Sequence, residues 1–180
     1  MKELSSFAPA VLKGRFGADL SFLAPSVFEV QFSWDPNWQL VDIPSESFAI
    51  SSCERKDEIW KSTCFEVFIM PEGQAHYWEI NLSPLRKWNA YQFSSYRTPA
   101  PPVLAKNWQL IEMQFSSGRL MAQINYDLPT NLKMKIGITS VLVTKSGEKS
   151  YWSLAWPQDS KKSQPDFHDP ACYVLERTIK

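Results

Sequence analysis

The chain has 180 residues, 44% of them hydrophobic, which is enough for one domain with a sizeable core and too apolar for a disordered chain. Its 19 basic and 19 acidic side chains cancel, so no net charge draws it toward nucleic acid or an anionic membrane surface. The first residues, MKELSSFAPAVLK, carry no apolar signal core, and no run is long enough to span a bilayer. Cys53, Cys64 and Cys172 are an odd, widely spaced set, which argues against a disulfide framework and against a zinc site. These readings predict a cytoplasmic protein, in which the sequon Asn81-Leu82-Ser83 has no meaning. A small-molecule partner is expected, with no nucleic acid and no membrane; the oligomeric state stays open.

Period-two alternation recurs along the chain. In Val27 to Trp34, Phe28, Val30, Phe32 and Trp34 share a face, and Asp35-Pro36-Asn37 supplies turn chemistry. Cys64 to Met70 places Phe65, Val67 and Ile69 together, and Tyr77 to Leu82 does the same for Trp78, Ile80 and Leu82. A hairpin across the Pro71–His76 loop that joins these apolar faces pairs Phe65 with Leu82, Val67 with Ile80 and Ile69 with Trp78. Its other face then sets Glu66 opposite Asn81 and Glu79 opposite Phe68, making Glu66 and Glu79 diagonal neighbours. Ser83-Pro84 is the one place where a short helix is allowed. Trp88, Tyr91, Tyr96 and Arg97 follow on the next strand, and Thr98-Pro99-Ala100-Pro101-Pro102 is an extended connector.

A second hairpin runs through Ile111, Met113 and Phe115, turns at Ser116–Arg119, and returns through Leu120, Ala122 and Ile124. Ile136 to Val143 is a nearly continuous apolar strand ending at a Ser146-Gly147 turn. Tyr151 to Trp156 groups Trp152, Leu154 and Trp156. Cys172 to Arg177 closes the chain. Many short strands, 13 prolines and no long helical period predict an all-β fold, an antiparallel sandwich of jelly-roll type, as a single domain over 1–180.

The second face of the first hairpin is the most informative. It carries Cys64, Glu66, Phe68, Tyr77, Glu79 and Asn81, where a plain solvent face would be richer in Lys, Thr and Ser. Carboxylates and an amide that bond hydroxyls, beside rings that stack, suit a hydroxyl-rich ligand. A half-buried polar network between sheets accounts for the same residues equally well. Trp60 shares parity with Glu66 and is either a stacking platform or a lid on the core. Arg97 is a ligand donor or, more in keeping with its chemistry, an ion-pair partner for Glu66 or Glu79. In Pro165–Pro170, Asp166, His168 and Asp169 are three potential cation ligands, although Asp in such loops commonly caps turns. No metal is assigned on that basis, and His168 is instead a candidate ligand contact.

Nucleophile and nucleotide-loop signatures are absent, so no catalytic residue is assigned. Glu66 and Glu79 as diagonal neighbours would stand ~7–8 Å apart, near the spacing of an inverting glycosidase pair. Haem would need axial ligands, for which Met70, His76 and His168 are the candidates. No cofactor is otherwise implied.

Several strings resemble the DOMON-like superfamily. They are Arg55 to Glu66, Tyr77 to Pro84, Trp88 to Phe93 with Tyr96-Arg97, and Tyr151 to Leu154 with Pro165 to His168. The branch most similar is bacterial and resembles type 9 carbohydrate-binding modules; the likeness spans roughly residues 55 to 170. It implies a β-sandwich with a ligand site on one sheet, taking sugar or haem. In the sugar-binding modules a Trp six residues before a Glu lies at the site, and Trp60 and Glu66 match that spacing. Glu79, Asn81 and Arg97 fit nearby polar positions. The chain departs from the pattern where Trp156 replaces a His before a proline, where Leu85 and Arg86 replace small turn residues, and in a longer 158–164 stretch.

The resulting expectation is a non-catalytic module for a carbohydrate or sugar-like small molecule, with Trp60, Glu66, Tyr77, Glu79, Asn81, Tyr91, Arg97, Trp156 and His168 at its site. The alternatives are a haem-binding module, a glycoside-processing enzyme using Glu66 and Glu79, and a protein-interaction sandwich without a pocket.

Overall fold

The computed structural model describes residues 1–8, 14–35, 38–51, 53–128, 130–157 and 164–179. Its strands in chain order begin with β1 (Lys2–Glu3), β2 (Ser5–Ser6), β3 (Phe16–Ala24), β4 (Val27–Trp34) and β5 (Phe48–Ile50). β6 (Glu54–Arg55), β7 (Cys64–Pro71), β8 (Tyr77–Ser83), β9 (Lys87–Phe93) and β10 (Val103–Leu104) follow. The last are β11 (Gln109–Ser116), β12 (Arg119–Asn125), β13 (Lys133–Val143), β14 (Lys149–Ser153) and β15 (Leu175–Thr178).

They form two sheets. The smaller has the order β1-β3-β4-β12-β11-β5. The larger runs β10-β9-β8-β7-β13-β14-β2, with β15 also on β13 and β6 on β9. Every pairing between named strands is antiparallel except β6 with β9. Among the described residues the only helical pieces are two 3-10 turns, Ile59–Lys61 and Pro170–Cys172. The antiparallel β-sandwich expected from the alternation is therefore the observed fold. The helix allowed at Ser83-Pro84 is a tight turn instead, in which Arg86 takes a left-handed conformation (φ 60).

The sheets face each other across one core, built from the apolar parity of each strand. Phe28, Val30, Phe32 and Trp34 of β4 meet Phe65, Val67 and Ile69 of β7 and Trp78, Ile80 and Leu82 of β8. Phe65 lies in an aromatic nest, with ring centroids 5.0 Å from Phe32, 5.3 Å from Trp34 and 6.2 Å from Phe16. Losing so enclosed a ring costs about 3–5 kcal/mol.

The β7–β8 register is the one the apolar faces dictate: Phe65 with Leu82, Glu66 with Asn81, Val67 with Ile80, Phe68 with Glu79 and Ile69 with Trp78. Elsewhere the alternation misleads. A register shift between Leu110 and Glu112 in β11 turns Leu110 toward the core and leaves Ile111 40% exposed, so Ile111 does not share the face of Met113 and Phe115. β14 stops at Ser153, and Trp156 leaves the Trp152 face. Cys172 belongs to a 3-10 turn, and the closing strand begins only at Leu175. Pro36 and Asn37 of the expected turn, and most of the 158–164 stretch, lie outside the described residues.

β7 and β8 are buried on both faces. One face belongs to the sandwich core. The other supports a second apolar cluster of Phe68, Met70, Tyr77, Tyr91, Phe93 and Tyr173 with neighbours from the loops. The segments 56–63, 94–102 and 164–174 supply residues that pack over this outer face. Two strands with an alternating pattern thus become fully buried because loops form a partial third layer. No helix among the described residues is long and apolar enough to cross a membrane.

Candidate functional site

The outer face of the larger sheet is set by register. β7 contributes Glu66 and Phe68; β8 contributes Tyr77, Glu79 and Asn81; β9 contributes Asn89, Tyr91 and Phe93. On the other side, Thr139 of β13 pairs with Glu66, and Tyr151 of β14 pairs with Val141. Glu66 therefore faces away from the sandwich core, toward the loops.

Those loops enclose a cavity of about 470 Å³ whose floor includes Glu66 and Glu79. Ring walls come from Trp60, Phe68, Phe93, Tyr151 and Phe167. The volume falls within the ~300–1,000 Å³ range of small-molecule sites. Lys61, Arg97 and Lys149 contribute cationic side chains to its lining.

Each wall has a local cause. The 3-10 turn Ile59–Lys61 follows Glu58, which is left-handed at φ 60, and its buried Ile59 pins the turn so that Trp60 leans edge-on over Tyr91 at 5.8 Å. Tyr91 is held in turn: its hydroxyl donates to Asp57 Oδ1 at 2.9 Å and accepts from Asn89 Nδ2 at 3.0 Å. Asn89 Oδ1 accepts from Arg55 at 3.0 Å, and the Arg55 guanidinium lies 4.2 Å over the Trp88 ring. On the opposite wall Phe167 stacks on Trp156 at 5.6 Å, and Trp156 Nε1 donates to the Ser5 carbonyl at 3.1 Å.

His168 enters from the 164–174 loop and is wedged edge-on against Phe68, Phe93 and Tyr77 at 5.2–5.8 Å. The Arg97 backbone N–H donates to the Tyr77 hydroxyl at 3.1 Å, with Arg97 left-handed at φ 51. That leaves the phenol proton for His168 Nδ1, 2.6 Å away, and assigns the imidazole proton to Nε2. Nε2 then faces Glu79 Oε2 across 3.6 Å, too far for a hydrogen bond. Burial, reinforced by the Arg97 charge, pushes His168 down to about 4, so the His168–Glu79 contact is not an ion pair at neutral pH.

Glu66 and Glu79 are 3% and 7% exposed. Glu66 Oε2 accepts from Thr139 Oγ1 at 3.1 Å, and Glu79 Oε1 accepts from Asn81 Nδ2 at 2.7 Å. Burial drives both carboxyls well above the usual carboxylate range, and for Glu66 the neighbouring Glu79 adds to it. Burial and the same two acids push the Cys64 thiol up as well.

Of the nine expected site residues, Trp60, Glu66, Glu79, Arg97 and His168 line the cavity. Tyr77, Asn81, Tyr91 and Trp156 do not; they hold liners in place. Arg97 pairs with Asp166 at 3.0 Å rather than with either glutamate, and Tyr96 donates to Asp166 at 2.8 Å. Asp169 caps the Pro170–Cys172 turn by accepting from Ala171 N at 2.9 Å. Among the described residues no group of three or more His, Cys, Asp and Glu side chains could hold a metal ion. The haem candidates are dispersed: His168 and His76 line different cavities, and Met70 lines neither.

Sequence reasoning missed Phe93, Val141, Lys149, Tyr151 and Phe167 as liners. Phe93 keeps the parity of Tyr91, and Tyr151 pairs with Val141 two strands from the hairpin, so extending the register across the sheet finds them. Phe167 and the proline-rich wall carry no periodic signal.

No family model matches the chain, and no curated protein matches it. Among solved structures, the fold is similar to that of a protein from Bacteroides uniformis named a "putative carbohydrate-binding protein". That likeness has a TM-score of 0.60 at 10% identity, covering 96% of this chain and 84% of the other. At that identity it shows a shared sandwich fold and nothing of ligand or residues.

Proposed function

We propose that this protein is a ligand-binding module for a carbohydrate or sugar-like small molecule, seated over the outer face of the larger sheet. The observation that carries the reading is the cavity itself: aromatic walls around a floor of carboxyl groups. Rings such as Trp60 and Phe167 suit the apolar face of a pyranose, and carboxyls suit its hydroxyls. Similarity of fold to a protein named for carbohydrate binding, and the resemblance of the Trp60–Glu66 spacing to sugar-binding modules of the DOMON-like superfamily, support the same reading.

Isothermal titration against a panel of mono- and oligosaccharides tests it. Saturable heat in the wild type, reduced at least roughly tenfold in affinity by Trp60→Ala and by Glu66→Gln with the fold retained, is the expected result. No heat across the panel from a folded protein refutes it.

One observation favours a second reading, a glycoside-processing enzyme. Two buried carboxyls of raised pKa at one cavity floor are the ingredients of a general acid and its partner. Release of free sugar from any ligand that binds, abolished by Glu66→Gln or Glu79→Gln, would establish turnover; recovery of the intact ligand keeps the protein a binder.

A further inference from the structure

Donors and acceptors at the cavity floor do not balance. Glu66 and Glu79 bring four carboxyl oxygens on neighbouring strands, and each carboxyl accepts one side-chain N–H or O–H hydrogen bond, Glu66 from Thr139 at 3.1 Å and Glu79 from Asn81 at 2.7 Å. Cys64 adds only a weak thiol donor to Glu66. Asn81 Oδ1, fully buried and outside the lining itself, also has no donor. No described Lys or Arg forms an ion pair with either glutamate: Lys61 is bonded to Glu58 at 2.6 Å and Arg97 to Asp166 at 3.0 Å. A buried pair of like acids with no ion-pair partner is costly; burial drives both carboxyls up, the Glu79 charge adds to the rise of Glu66, and the Arg97 charge only partly offsets that of Glu79.

A hydroxyl would bring one donor together with further acceptors. An ammonium group brings three donors, a positive charge and no acceptor. The rings of Trp60, Phe93 and Phe167 around it are the surroundings in which a cation is attracted to aromatic faces.

We propose that the cavity selects a sugar bearing a free primary amine, whose ammonium group is held by Glu66 and Glu79 within these aromatic walls. This rests on the reading of the cavity as a carbohydrate site. An N-acetyl group removes the charge and two of the donors, so the acetylated sugar is discriminated against. The cations of the lining, with Lys149 in no ion pair, disfavour a second amine on the same ligand.

Proton linkage follows. The ionisable groups facing the pair are Cys64, Tyr77, Tyr91, Tyr173 and His168, together with the cations Arg97, Lys61 and Lys149 of the lining, and none of the first five is charged at neutral pH. The proton displaced by the ammonium therefore comes from the glutamates, and binding weakens as acid returns it.

Calorimetric titration of the whole protein with glucosamine, glucose, N-acetylglucosamine and benzylammonium is the test, run near neutrality and at mildly acid pH in buffers of different ionisation enthalpy. Glucosamine is expected to bind roughly tenfold or more tightly than glucose or N-acetylglucosamine, consistent with a desolvated charge-assisted contact. It should release protons and weaken on acidification. Glu79→Gln should erase the preference. If that variant fails to fold, proton release by the wild type still decides. Glucose or N-acetylglucosamine binding as well as glucosamine would overturn the amine preference and leave the carbohydrate reading standing. Benzylammonium binding with no sugar response would keep the ammonium site and discard the sugar. No response to any of the four overturns the ammonium site, and the carbohydrate reading then stands or falls on the full saccharide panel.

Discussion

Gly137 lies in the middle of β13, opposite Phe68 and under the ring of Tyr173. A Cβ added there would stand 2.4 Å from Tyr173 Cδ1 and 2.8 Å from Cε1. Restoring ordinary contact requires the ring to retreat by about 1 Å. Tyr173 is 4% exposed and stacks nearly parallel on Phe68, 17° between planes at 5.6 Å, so a retreat breaks that stack. Overpacking of this kind costs about 1–3 kcal/mol. The stiffer unfolded chain of an alanine returns about 0.4–1 kcal/mol. Gly137→Ala should therefore destabilise by about 1–2 kcal/mol, lowering Tm by about 2–8 °C for a chain of this length. Thermal unfolding followed by circular dichroism measures it. The control is Tyr173→Ala, which removes the obstructing ring, so that Gly137→Ala in that background costs nothing. An unchanged Tm for Gly137→Ala in the wild-type background would refute the claim that this glycine exists to seat Tyr173 behind the cavity.

Tyr173→Phe deletes a buried hydroxyl that has no hydrogen-bond partner, and should leave Tm unchanged or raise it, by up to about 1 kcal/mol in stability. Because the glutamate pair titrates higher folded than unfolded, the folded state holds the extra proton, and stability falls as pH rises from about 4.5 through the folded values. Glu66→Gln should flatten that fall in urea midpoints measured from mildly acid to alkaline pH, with its gain over wild type confined to the alkaline end. His168 acts in the opposite sense: lowered from 6.5 to about 4, it removes stability as pH falls through that window, and His168→Gln should lessen the acid loss. In the folded protein a thiol reagent should leave buried Cys64 and Cys172 untouched, and react slowly with half-buried Cys53, which burial pushes up to about 11.

The first hairpin was legible because its two apolar faces admit one register, and that register alone brings Glu66, Glu79 and Asn81 together. What the alternation could not show was which face of the larger sheet the loops would cover, since β7 and β8 pack on both sides. Ile111 departs from the face its alternation predicts because a bulge adds a residue without any compositional mark. The alternating pattern runs on past Ser153 and so groups Trp156 with Trp152, although the strand has already ended. Charge alone pairs Arg97 with the glutamates, but the residue, left-handed at φ 51, meets Asp166 across loops that sequence does not align. The likeness to sugar-binding modules pointed to Trp60 and Glu66, which do share one cavity; the aromatic wall from 164–174 follows no period and was visible only in three dimensions.

The division of aromatics between two clusters has an optical consequence. Trp34, Trp38, Trp78, Trp88, Trp108 and Trp152 belong to the sandwich core, whereas Trp60 and Trp156 sit with the outer cluster. Indole emission from the core reports whether the sheets are closed, and Trp60 alone among the indoles lines the cavity. Occupancy of the cavity would thus reach the total signal as a small modulation over a large constant background. A Trp60→Phe protein, which keeps a ring on that wall, supplies the blank from which the light of the single reporting indole is recovered by subtraction.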